Sequence, residues 1–433
     1  MHFEETNRQG AKTPSQNHQR RLPETSYEDQ ASGAPRHATP DKLHGYGGRV
    51  LLDQPVSSLA DWALDPAIVH LNHGSYGGCP RAVIDAATAW RTRLEAAPMR
   101  FLVLEWQREL DRARATLAAF VRIPDSRLAF VPNATTGVAI ALASTSLAPG
   151  DAILTTDHCY RACKNQLDRT GAPLVVVPIA LPFDADRFVD DVTRALAPNV
   201  KLALLDHVTS PTALRLPIER VIPLLAARGI ASLIDGAHAP GQLELDLGAL
   251  GATWYAGNCH KWVCAPKGTG FLVAPAGVVP RPVVTSHGAS PAYGPANRLH
   301  AELDWSGTYD PTPHLTVPTA IATVAALGGG WPAVIARDHA LVIEMRRRFV
   351  DALGGAPLIA PESALGAMAA IPIVLPGIAP FALEQQLLTE GWEVPIVDWP
   401  AGPMVRLSAH LYNHAGQAEA LAARLRSLGV TLR

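Results

Sequence analysis

Cysteine is scarce in this chain. Its 433 residues hold five, all between Cys79 and Cys264. Their spacing forms no paired CxxC frame, which argues against a structural zinc fold, and so few thiols in so long a chain argue against a disulfide scaffold. A reducing, cytoplasmic setting is the expectation. An excess of one charge is also missing. Lys and Arg number 37 against 39 Asp and Glu, a net charge of −2, so the composition points to no nucleic-acid or anionic-membrane partner. No apolar run reaches the roughly 18–20 residues that span a bilayer. The opening segment "MHFEETNRQGAKTPSQNHQRRLPETS" lacks the apolar stretch of a secretory signal. No internal repeat is visible.

What is present is apolar content of 48%, enough for a large core and more than one domain. Residues 1–48 are polar and rich in Gln, Asn, Ser, Thr, Pro and Gly, so a disordered tail is expected there. Short apolar segments then alternate with helical patterns. "DAILTTD" (151–157), "APLVVVPIA" (172–180), "VKLALLDHV" (200–208), "IASLIDGA" (230–237), "GATWYAGN" (251–258) and "GTGFLVA" (268–274) read as buried strands. "RFVDDVTRALA" (187–197) and "PIERVIPLLAARG" (217–229) read as helices between them. The alternation predicts an α/β fold with a mostly parallel sheet covered on both faces. Residues 276–315 read as loop, and 318–354 as a long helix broken near its glycines and Pro332. The expected organisation is a tail (1–48), an N-terminal arm contributing to the small domain (49–90), a large domain (91–315) and a smaller α+β C-terminal domain (316–433).

In open parallel sheets ligands bind beyond the carboxyl ends of the strands. Five strand ends here carry polar groups that an apolar core does not use. "NATTG" (133–137) opens a small-residue helix and offers N–H groups and hydroxyls to a phosphate, or is simply an N-cap. Asp235 closes a buried strand and needs a cationic partner, which a protonated pyridine nitrogen would supply. Tyr160 or His158 would stack on a flat ring. Lys261 follows one strand later, between His260 and Trp262. A desolvated lysine amine can form a Schiff base with an aldehyde. Cys259, His260 and Cys264 in "GNCHKWVCAPKG" offer three metal-type ligands at an unusual spacing with no clear fourth, so no metal is expected.

Seven motifs in order resemble the class V aminotransferase-fold enzymes that use pyridoxal 5′-phosphate (PLP), in the isopenicillin N epimerase-like branch. They are "LNHGSYG" (71–77), "NATTG" (133–137), "HVTSPT" (207–212), "DGAHAPG" (235–241), "GNCHKW" (257–262), "GTYDPT" (307–312) and "VRLSAHLYN" (405–413). The resemblance implies the PLP-dependent transferase fold, aspartate aminotransferase-like (fold type I). It also implies roles. Lys261 would carry the cofactor as a Schiff base and shuttle the proton at Cα. Asp235 would pair with the pyridine nitrogen, and His238 and Ser210 would lie near the phenolic oxygen. Ala134, Thr135, Thr136, Asn258 and His260 would hold the phosphate. Thr308 would reach the phosphate of a partner subunit, which makes a homodimer the expectation. Arg406 would grip the carboxylate of a small amino-acid substrate. Asn72, His73 and Tyr76 would line the substrate pocket.

The reaction is less determined. Cysteine desulfurases of this fold carry a catalytic cysteine shortly before the substrate arginine, and "PIVDWPAGPMVRL" (395–407) has none. Epimerisation and C–S lyase chemistry remain side by side, with transamination behind them. An epimerase needs a proton donor on the face opposite Lys261, for which Tyr160 or His158 is available. A catalytically silent homologue would lack Lys261, Asp235 or Arg406, and all three are present.

Overall fold

The computed structural model describes residues 52–290, 296–355 and 358–433. The expected N-terminal tail lies outside the described residues. Among the described residues, thirteen strands in chain order are β1 Val69–His70, β2 Leu128–Val131, β3 Ala152–Thr156, β4 Leu174–Val177, β5 Val200–Asp206, β6 Ala231–Gly236, β7 Trp254–Asn258, β8 Gly270–Val273, β9 Met368–Val374, β10 Trp392–Glu393, β11 Ile396–Val397, β12 Met404–Ser408 and β13 Thr431–Leu432.

The central sheet runs β2-β8-β7-β6-β5-β3-β4. Its β3–β4, β3–β5, β5–β6 and β6–β7 pairs are parallel, and β8 alone runs antiparallel between β2 and β7. The apolar strands are those a doubly covered sheet needs. Every residue of β2, β3, β7 and β8 is buried, whereas the edge strand β4 is only partly so. Helices between the strands begin at local signals. Asp184 caps Ala185–Ala195 by accepting the Arg187 N–H, and Pro217 precedes Ile218–Ala226.

A second sheet, β11-β12-β9-β13, is antiparallel and built from the last third of the chain. The short parallel pair β1–β10 ties the N-terminal arm to this region, matching Val69 to Trp392 and His70 to Glu393. The broken helical pattern becomes two helices, Val317–Gly328 and Trp331–Ala352, bent by 65°. Gly329 and Gly330 make the corner with φ of 75° and 103°. Among the described residues no single helix is long and apolar enough to cross a membrane.

The loop reading of 276–315 needs correction. That stretch holds a helix at Arg298–Leu303, capped by Asn297, and another turn of helix at Thr312–Leu315. Elements of six and four residues are too short to show a helical period, and the surrounding Pro and Gly masked them.

Deeply buried histidines run through the molecule. Burial pushes His158 and His314 down to about 4 and His410 to about 3, from an ordinary 6.5. The unfolded chain takes up protons first as pH falls. Their contribution to stability is therefore present above pH 6.5 and is lost as pH falls toward the folded values, at about 1.4 kcal/mol per group per unit. The urea midpoint should drop steadily between about pH 6.5 and about pH 4.5. A midpoint that stays level over that interval contradicts this assignment.

Candidate active site

One cavity of about 230 Å³ opens at the carboxyl ends of the parallel strands. The sheet order arranges its floor. Lys261 follows β7, Asp235 is the penultimate residue of β6, Asp206 ends β5, and Tyr160 follows β3, so the row Lys261–Asp235–Asp206–Tyr160 crosses the cavity in strand order. Ser75, Tyr76, Asn133, Thr135, Ser210, His238, Asn258 and His260 complete the wall that matters here.

Lys261 Nζ lies 3.0 Å from His238 Nε2. Burial, with the Arg406 cation beside it, lowers the Lys261 ammonium to about 7. The amine is therefore near half neutral at physiological pH, as Schiff-base chemistry requires. Burial and the same two cations hold His238 well below its usual range, so it is a neutral imidazole. Its Nδ1 has no partner among the described residues.

The Lys261 loop is fixed from behind. His73 Nδ1 accepts the Gly78 N–H at 3.2 Å, which leaves the proton on Nε2 to donate to the Lys261 carbonyl at 3.2 Å. Gly77 has φ of 72°, and a Cβ there would sit 2.2 Å from the His260 carbonyl oxygen. Only glycine allows that approach. His73 therefore does not line the cavity, as the sequence suggested; it supports the lysine.

Cys264 and His410 join His73 in a buried cluster with ligand atoms within 4.8 Å of one another. His410 Nδ1 accepts the Leu411 N–H at 2.7 Å. His410 Nδ1 also lies 3.3 Å from Asp338 Oδ2, and His410 Nε2 reaches the Cys264 sulfur at 3.2 Å. The cluster is a hydrogen-bonded support behind the Lys261 loop.

Asp235 is 4% exposed. It accepts from Cys163 Sγ at 3.1 Å and from the Ala237 N–H at 3.0 Å, which orient it as an anion toward the cavity. The helix Ala134–Ser144 starts at the opposite wall, capped by Asn133. Asn258 Oδ1 accepts the Ala134 N–H at 2.8 Å and Asn133 Oδ1 accepts the Thr136 N–H at 2.9 Å. The Thr135 amide and hydroxyl, the Asn258 amide group and His260 are left for an anion at the helix N-terminus. Two expectations are corrected here. The Ala134 amide is already taken by Asn258. Thr136 is turned away: its hydroxyl bonds Asn133 at 3.1 Å and it lines a separate apolar cavity. His260 Nδ1 is anchored on the Thr269 carbonyl at 2.7 Å.

Arg406 is 4% exposed and forms no ion pair among the described residues. Its guanidinium is held by neutral oxygens: the Ser210 carbonyl, Ser75 Oγ at 2.6 Å and Asn72 Oδ1 at 3.3 Å. Burial brings it down to about 10, and it stays a cation. Arg406 does not itself line the cavity but lies behind Ser75 and Ser210, which do; as a buried cation without an anion it would attract a carboxylate to that wall. Asn72 thus acts through Arg406, while Tyr76 is 73% exposed at the cavity mouth.

His158 is the clearest misplacement. It is 1% exposed, its Nδ1 is 2.8 Å from Thr212 Oγ1, and its ring meets Trp399 edge-on at 4.6 Å. It is not among the cavity-lining residues, whereas Tyr160 is. Thr308 is exposed on a loop away from the cavity. Ser75, Asn133 and Asp206 were missed. The first two lie inside quoted motifs. Asp206 was legible as a charge ending an apolar strand run.

These residues fit PLP. The orphaned His238 Nδ1 and Asp206 Oδ2, the anionic Asp235, the anion site at Thr135 and the part-neutral Lys261 are the partners that its polar groups require. Capture of PLP by the cofactor-free protein should accelerate with pH around a midpoint near 7, where Lys261 loses its proton. Rapid-mixing absorbance checks this. A profile level from about pH 6 to about pH 9 contradicts it.

Comparison with known proteins agrees. Residues 77–282 match the family model described as aminotransferase class-V. The chain is 37% identical to an isopenicillin N epimerase of Amycolatopsis lactamdurans, over 84% of this chain and 96% of that protein. It is 34% identical to the isopenicillin N epimerase of Streptomyces clavuligerus, over 86% and 99%. A putative L-cysteine desulfhydrase of Oryza sativa subsp. japonica is 32% identical over 67% of this chain and 64% of its own length. Among solved structures, the cystine C–S lyase C-DES with its product cysteine persulfide superposes with a TM-score of 0.73, at 20% identity over 83% of this chain and 97% of that one, a likeness of fold. The chain therefore belongs to the class V aminotransferase family and is a PLP-dependent enzyme of fold type I.

Proposed function

We propose that this enzyme inverts the configuration at Cα of a small α-amino acid. The observation that carries this reading is the pair of proton-transfer groups at the two ends of one row. Lys261, part-neutral, stands at one end, and Tyr160 at the other, with Asp235 and Asp206 between them. Burial raises the Tyr160 phenol above its ordinary range, so it is a proton donor at neutral pH. Tyr160 is also 43% exposed and can exchange its proton with water.

When bound, PLP supplies a ring that accepts the electron pair left on Cα. The chain does the rest. Arg406 orients the substrate by its carboxylate. The Lys261 amine, steered by His238, takes the Cα proton from one side. Tyr160 returns a proton from the other side, which gives the opposite configuration. Asp235 would be the partner of the ring nitrogen and would stabilise its protonated form. The isopenicillin N epimerases, alike over most of this chain, support the reading.

The test is Tyr160→Phe. Inversion should fall by about 10²–10³-fold, while exchange of the Cα hydrogen with heavy water from the lysine side persists. Equal loss of exchange and inversion contradicts the two-sided scheme.

A second reading, β-elimination on a cysteine conjugate or sulfoxide, draws on the desulfhydrase relative. It needs Lys261 but not Tyr160, so the same variant separates the two. Transamination stands behind both. A homodimer, with Thr308 reaching the neighbouring phosphate, is part of the proposal; its exposed loop position outside the cavity is compatible with that role.

A further inference from the structure

Two buried carboxyl groups stand side by side in the cavity floor, and the mechanism uses only one. Asp206 and Asp235 are register partners on the parallel strands β5 and β6. Their side chains leave the same face of the sheet, roughly 4.8 Å apart at the backbone. Asp206 is 3% exposed and Asp235 4%.

Their surroundings differ in kind. Asp235 accepts two donors, Cys163 Sγ and the Ala237 N–H, which favour an anion. The Tyr160 N–H favours the charged form of Asp206, but Asp206 Oδ2 has no partner among the described residues. An ion there would be desolvated on one oxygen and repelled by its neighbour. A neutral acid would have a proton to give.

We propose that Asp206 is a cofactor-facing carboxylic acid, neutral beside the anionic Asp235, which offers its unpartnered oxygen to the cavity as an O–H donor. The floor then carries one negative charge instead of two, and Asp235 is the sole counter-ion of the ring nitrogen. Asp206 is a positioning and binding residue in this scheme, and no proton is lost or gained at it during turnover.

Burial and the neighbouring carboxylate dominate at Asp206. Burial and Asp235 raise its pKa well above the carboxylate range, while the Tyr160 N–H and Lys261 oppose this more weakly. Cys159 from the turn after β3 and Cys163 from the helix Arg161–Arg169 are kept protonated by burial and add no charge.

The inference rests on the cofactor assignment and not on the epimerase reading, and its test needs no turnover. Infrared difference spectra between wild type and Asp206→Asn, with and without PLP, should show the carbonyl band of a protonated acid at neutral pH. Asn reproduces the pattern of a neutral acid, one acceptor and one donor. The pH midpoint of the visible PLP band in Asp206→Asn should therefore stay within about half a unit of wild type. Asp206→Ala, which removes the donor, should weaken PLP binding about tenfold. If that variant does not fold, the first two measurements stand alone. A carboxylate signal at neutral pH, or a midpoint moved by more than about one unit in Asp206→Asn, overturns the proposal.

Discussion

Replacing Lys261 by alanine is expected to lower turnover by at least about 10³-fold and to abolish the visible absorbance of lysine-bound PLP. Both losses follow from one atom. Nζ is the only amine lining the cavity, among the described residues, and in the proposed scheme it would carry both the Schiff base and the proton transfer. The change should leave the fold intact. What holds the loop is the Lys261 carbonyl bonded to His73 and the close approach of Gly77, and neither involves the side chain. Circular dichroism and the melting temperature serve as controls. Retained turnover in a folded Lys261→Ala protein would remove the assignment altogether.

Replacing Arg406 by glutamine should cost about 100-fold in kcat/KM for an α-amino acid. Two charge-assisted hydrogen bonds of roughly 1.5 kcal/mol each disappear with the fork. Arg406→Lys keeps the charge but not the fork, and should fall between the two. The decisive comparison is an amino-acid amide. It lacks the carboxylate, so its weak reaction should change little on going from wild type to Arg406→Gln. If acid and amide suffer equally, Arg406 is structural, bracing Ser210, Ser75 and Asn72 rather than binding substrate.

The parallel sheet was legible because each strand is buried on both faces and reads as an unbroken apolar run. One charge at the end of such a run, Asp235, stood out. Asp206 did not, because His207 and the following motif drew attention past it; pairing β5 with β6 in register is what brings the two aspartates together. His158 and Tyr160 are two residues apart and could not be separated by sequence. The turn after β3 sends His158 inward to Thr212 and Trp399, and leaves Tyr160 at the cavity. Thr135 and Thr136 show the same limit. Adjacent helical positions point about 100° apart, so one hydroxyl faces the site and the other its own N-cap. His73 was assigned to substrate on motif position, but its tautomer, fixed by the Gly78 N–H, ties it to the lysine loop.

The most direct test of the central claim is a single incubation. The PLP-loaded protein is given candidate L-amino acids in heavy water, and Cα deuteration, product configuration, ammonia and pyruvate are followed together. Deuterium at Cα in both configurations, with no ammonia or pyruvate, is the predicted result. Ammonia and pyruvate released in step with substrate loss, with the remaining substrate unchanged in configuration, would contradict epimerisation and assign a β-eliminating lyase to the same lysine.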